Sequence, residues 1–93
     1  MAVTIDYQNK KVVLTAAADE AEGVFVPAFY RYVGATTAGH QAILQDENGK
    51  DLFKSEANGA NFTDVQPASS KLRTITKMVA QTLGSGWIEI YLR

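Results

Sequence analysis

The sequence predicts an all-β fold: a single small antiparallel β-sandwich, jelly-roll-like, of about eight short strands. Three observations carry this. Short segments alternate apolar and polar residues at period two, the pattern of strands with one covered face. Turn-forming residues interrupt them at close intervals, at 8–10, 34–39, 48–49, 57–60 and 84–86. The length, 93 residues, fits one domain spanning 1–93.

The elements follow in chain order. Val3, Ile5 and Tyr7 lie on one face and Thr4 and Asp6 on the other, which describes a half-buried strand. Gln8-Asn9-Lys10 is a turn, and Lys11-Val12-Val13-Leu14-Thr15 a second, more apolar strand. Residues 16–23, with four alanines and three acids ending at Gly23, read as a loop. Val24-Phe25-Val26 is apolar on both faces, and Pro27 removes a ladder donor, so an edge or a bulge is expected there. Phe29-Tyr30-Arg31-Tyr32-Val33 is rich in aromatic and β-branched residues, which favour strands.

Residues 40–45 and 50–55 flank Asn48-Gly49, the preferred pair for a type I′ hairpin turn. That register sets Leu44 opposite Phe53 and Ile43 opposite Lys54. It also sets Asp46 against Asp51, an unfavourable pairing unless both are solvated or the loop is four residues long. Asn61-Phe62-Thr63-Asp64-Val65 forms a short strand, broken at Pro67. Residues 71–83 support two readings: Leu72, Ile75, Val79 and Leu83 have helical spacing, yet Ile75, Val79 and Leu83 also alternate with Lys77 and Gln81. Neighbouring strands favour β. Gly84-Ser85-Gly86 is a turn, and Trp87-Ile88-Glu89-Ile90-Tyr91-Leu92 a strong closing strand.

Composition narrows the function. Hydrophobic residues make up 46% and charged residues 20%, an ordinary globular balance. The net charge of −1 offers no basic surplus for phosphates, so neither nucleic acid nor an anionic membrane surface is an expected partner. Without cysteine there is no disulfide, thiolate nucleophile or cysteine metal site. Residues 1–11 carry no apolar stretch of a secretory signal, and no apolar run reaches a membrane span.

No catalytic constellation emerges, so no enzymatic activity is expected. His40 is the one histidine, and none of Ser55, Ser69, Ser70 and Ser85 stands in a nucleophile elbow. Asp19, Glu20 and Glu22 read as a solvated charge run. Asp46-Glu47-Asn48-Gly49-Lys50-Asp51 departs from a calcium loop in the placing of its glycine and lacks the twelfth-position glutamate, so a turn explains it. Gly84-Ser85-Gly86 precedes a strand, not a phosphate-binding helix. No metal or cofactor is expected.

The aromatics remain. Phe29 and Arg31 share one face of their strand and Tyr30 and Tyr32 the other, and arginine beside aromatics is a combination enriched at interfaces. Phe29, Tyr30, Arg31 and Tyr32, with Val3, Ile5 and Tyr7, are the candidate interface residues. The alternatives are that one of these faces is simply core, or that the aromatics form a sugar-binding platform.

From about Phe29 onward the sequence resembles small virion proteins of tailed bacteriophages, the cement, decoration or head-associated β-sandwich proteins. Residues 42–50, an L-x-D-x-x-G hairpin, and the closing residues 84–92 carry the resemblance. It implies a jelly-roll-like subunit, often a homotrimer, on the capsid surface. There it ties together copies of the major capsid protein or another virion protein, after synthesis in the host cytoplasm. The alternative function is a carbohydrate- or receptor-binding module of a phage tail or fibre. The resemblance does not extend over residues 1–22, which are expected to form an arm or an edge-strand region.

Overall fold

The structure, a computed structural model, describes residues 3–68 and 74–93. The described residues form nine strands: β1 (Val3–Asp6), β2 (Lys11–Leu14), β3 (Glu20–Phe25), β4 (Pro27–Ala35), β5 (Gln41–Gln45), β6 (Asp51–Glu56), β7 (Phe62–Pro67), β8 (Ile75–Leu83) and β9 (Trp87–Leu92). They build two antiparallel sheets, one of five strands ordered β1-β2-β9-β4-β7 and one of four ordered β3-β8-β5-β6.

The pairing is nested. β2 pairs with β9, β3 with β8, β4 with β7 and β5 with β6, all antiparallel. The chain from β2 to β9 is thus one long hairpin with its tip between β5 and β6. Rolling it up brings β4 against β9 and β5 against β8. This is a jelly roll. Among the described residues no helix is long and apolar enough to cross a membrane.

The core lies between the sheets. Val12, Leu14, Ile88, Ile90, Tyr30 and Tyr32 face it from the five-stranded sheet and are at most 3% exposed. Phe25, Leu44, Phe53, Ile75 and Met78 meet them from the other sheet at 2% or less. Tyr30 and Phe53 meet across the gap in a tilted pair with ring centroids 5.8 Å apart.

Several sequence expectations are corrected. Residues 16–23 are not all loop, because β3 begins at Glu20 and supplies the ninth strand. Asp19 is not solvated: it is 1% exposed, and its Oδ2 accepts hydrogen bonds from the amides of Thr15 and Ala16. Pro27 does open a strand beside a register shift, but β4 lies inside its sheet, between β9 and β7. Residues 75–83 are strand, and the helical alternative for 71–83 falls over that span; residues 71–73 lie outside the described residues. The residues of β8 facing the core are Ile75, Met78 and Ala80, while Val79 is half-buried.

The β5–β6 turn also differs from expectation. Leu44 does face Phe53 and Ile43 does face Lys54, but Gln45 then faces Asp51. Leu52 is therefore the extra residue of a bulge. Gly49 alone has positive φ in the loop (77°), so this is a three-residue loop closed by an αL glycine, not a type I′ turn. The Asp46–Asp51 conflict never arises. Asp46 is 2% exposed, and its Oδ1 accepts from the amides of Asn48 (2.8 Å) and Lys50 (3.0 Å).

Residues 3–22 are not a detached arm. β2 sits between β1 and β9, and Val12 and Leu14 are fully buried; the edge-strand expectation holds for β1.

Candidate functional site

The outer face of the five-stranded sheet is where charge, aromatics and exposed apolar residues meet. Alternation sends Tyr30 and Tyr32 of β4 into the core, so Phe29, Arg31 and Val33 must point out. β9 behaves likewise: Ile88 and Ile90 go in, and Trp87, Glu89 and Tyr91 go out. The register then aligns rows across the sheet. Lys11, Tyr91, Phe29 and Pro67 form one, and Val13, Glu89, Arg31 and Val65 the next.

Glu89 stands at the centre. Its Oε1 accepts from Tyr91 Oη (3.0 Å) and lies 3.4 Å from Arg31 Nη1. Its Oε2 accepts from Trp87 Nε1 (2.9 Å) and lies 3.6 Å from Lys11 Nζ. The side chain is only 10% exposed, whereas those of Lys11 and Arg31 are 35% and 40% exposed. Burial alone would raise the pKa of this carboxyl. The hydrogen bonds from Trp87 and Tyr91 and the charges of Lys11 and Arg31 outweigh it and hold the pKa below the ordinary 4.5. A carboxylate so held is a weak base and a scarce acid near neutral pH. Its role is to fix the surrounding side chains: Lys11 and Arg31 flank it, and Asp6 stands opposite Lys11 on the same face.

The aromatic rings are set by the same register. Phe29 and Tyr91 stack at 4.5 Å with planes 13° apart, and Lys11 Nζ sits 5.6 Å from the Tyr91 ring centre. Trp87 lies over β4 at Gly34, where a Cβ would come within 2.6 Å of its ring carbon Cζ3. Gly34 has φ 79°, so the position suits glycine on both counts. Trp87 stays 36% exposed, and Val65 across the sheet 54%.

The sequence-derived candidates divide accordingly. Phe29 and Arg31 are on this face. Tyr30 and Tyr32 are core residues, 3% and 0% exposed, so their assignment to an interface is corrected. Val3, Ile5 and Tyr7 are exposed at 38%, 37% and 56% but lie elsewhere, at the β1 edge. Sequence reasoning passed over Glu89, Lys11 and Val65. The signal was present for one of them, since Trp87, Glu89 and Tyr91 fall at period two on one strand.

His40 and Ser85 lie at one end of the sandwich. His40 Nδ1 and Ser85 Oγ are 2.8 Å apart, and that oxygen also accepts from the Thr36 amide (2.9 Å). The Ser85 carbonyl accepts from Tyr32 Oη at 2.8 Å. The pair thus ties the 84–86 turn to the β4–β5 loop. Among the described residues no three His, Cys, Asp or Glu side chains gather where they could hold a metal ion.

The fold and face define a jelly-roll β-sandwich with a flat, polar-aromatic surface. No protein-family model matches the chain, and no curated protein matches it. Among solved structures, a Streptococcus pneumoniae fucose binding module is similar at 14% identity, covering 89% of this chain and 70% of that one, with a TM-score of 0.41.

Proposed function

We propose that this chain is a non-catalytic binding subunit that docks on a protein surface through the outer face of its five-stranded sheet. The observation that carries this is the Glu89 cluster. A buried carboxylate holds Trp87, Tyr91, Arg31 and Lys11 in fixed positions beside exposed Val65. Rigid aromatics and arginine bordering apolar surface are the usual anchors of protein interfaces, because they lose little entropy on binding. Arg31 meets Glu89 through one nitrogen only, so its fork has donors left for a partner's carboxylate.

The narrower reading is a capsid cement or decoration subunit whose partner is the major capsid protein. The resemblance of residues 42–50 and 84–92 to small phage virion proteins supports it. The jelly roll suits the role but also hosts lectins, so it does not decide between them. Capsids assembled without the protein should bind it stoichiometrically on co-sedimentation and gain heat resistance. A chain carrying Arg31→Ala and Val65→Asp should fold but stay in the supernatant. Equal binding of that variant would overturn the docking face.

A second reading, carbohydrate binding, draws on the Trp87 ring laid along the sheet. Sugars stack on ring faces, however, and Phe29 and Tyr91 already cover each other's. Glycan-array binding that disappears with Trp87→Ala would favour this second reading.

A further inference from the structure

Among the described residues, the large exposed hydrophobics fall into two groups. Val65 and Trp87 belong to the face above. Val3, Ile5 and Tyr7 gather at the opposite side, along β1, with exposed Val24 on neighbouring β3. Tyr7 links them: its ring stacks on Phe25 at 6.0 Å, and its hydroxyl accepts from the Val24 amide at 3.4 Å. Val3 and Ile5 align with Leu14 and Val12, so they point to the core side of the sheet. Leu14 and Val12 are fully buried there, yet Val3 and Ile5 are more than a third exposed. The core side of β1 is thus only partly covered, and its apolar residues reach solvent.

An open sheet has edges, and proteins blunt them with charge, proline, bulges and inward-pointing charged residues. Three of the four edges here are blunted. β3 carries Glu20 and Glu22 and shifts register before Phe25. β6 carries Asp51, Lys54 and Glu56 and holds the Leu52 bulge. β7 ends in Pro67 and turns Asp64 inward, opposite buried Tyr32, to bond Ser55. β1 has no proline, bulge or inward-pointing charge. Its register with β2 is unbroken from Val3 to Asp6, and its only charge, Asp6, is bound to Asn9 at the hairpin end.

We infer that β1 is a self-association edge, where the β1 strand of a second copy adds antiparallel to form a continuous ten-stranded sheet across a two-fold axis. A head-to-tail ring needs two different compatible surfaces; one open edge can only meet itself. With Ile5 on the axis, Thr4 of one copy faces Asp6 of the other, so no like charges oppose. The core sides of the two β1 strands then adjoin, and Val3, Ile5 and Tyr7 of both copies close over one apolar strip. A short ladder and one strip fall below the roughly 1,600 Å² of a standard interface, so the dimer is weak and reversible. This stands whatever the outer face binds.

Sedimentation equilibrium of the full chain over a wide concentration range tests it. The expected mass rises with concentration from 10.1 kDa to twice that value. Ile5→Lys should weaken association roughly tenfold or more, because a symmetric contact uses the position twice. Val65→Lys, on the outer face, should leave it unchanged. Amide exchange on the unmodified chain provides a measurement independent of whether Ile5→Lys folds. The β1 amides should gain protection with concentration, and those of β7 should not. A monomer at every concentration, a trimer, or a dimer whose β1 amides stay unprotected would overturn the inference.

Discussion

Glu89 shows how one residue organises a surface. Its lowered pKa makes its contribution pH-dependent, and the sign follows from proton counting. Between the lowered value and 4.5, the unfolded chain binds a proton that the folded chain excludes. The stabilisation is therefore complete above 4.5 and is lost as pH falls through the folded value. Melting temperature should fall more steeply below about pH 4.5 in the native chain than in Glu89→Gln. Parallel curves would show that Glu89 does not contribute in this way. Gly34 acts on the same cluster. Gly34→Ala should cost roughly 1–3 kcal/mol from its positive φ, and more if Trp87 cannot move aside. Thermal unfolding would read the cost, and the Trp87 emission maximum would read the displacement. Tyr32→Phe removes only the bond to the Ser85 carbonyl and should cost about 1 kcal/mol in denaturant unfolding.

The β5–β6 hairpin is a case where an element's own chemistry sets its register. The Asp46 carboxylate bonds two loop amides, and Gly49 takes the αL position that closes the loop. Asp46→Ala should lose about 1–3 kcal/mol and Gly49→Ala about 1–2 kcal/mol. Both are measurable by chemical unfolding. The loss from the first should exceed that from an alanine at exposed Glu47. The expected two-residue turn was close because Asn48-Gly49 is a true turn signal. It missed because the Asp46 side chain replaces one backbone turn contact, and the extra residue is absorbed as a bulge at Leu52. β9 is the other telling element. Its central place between β2 and β4 makes one flank polar and still half-covered, which a strand read alone cannot reveal.

For the whole molecule, nested pairing has a kinetic consequence. Joining β2 to β9 and β3 to β8 requires closing long loops before the contacts reward it. Refolding followed by Trp87 fluorescence should therefore take milliseconds to seconds, and a microsecond phase accounting for the full amplitude would contradict the topology. Among the described strands the same topology leaves four sheet edges, of which β1 is the one we infer to be open. The fold, the proposed docking face and the inferred self-association edge all rest on one strand order. The outer face and the β1 edge are separate enough for substitutions to address each alone.

Period-two alternation by itself determined that the chain is all-β and where most strands run. The turn residues determined where they stop. Strand faces were legible too: Phe29 with Arg31 and Tyr30 with Tyr32 could be sorted by parity alone. Which face is covered was decided only by tertiary structure, because both faces of β4 are aromatic and burial depends on what stacks above. β9 supplies the reason in full. Ile88 and Ile90 pair beside β2 and β4 on the core side of one sheet, and that pairing alone brings Lys11 and Arg31, distant in sequence, to the two sides of Glu89.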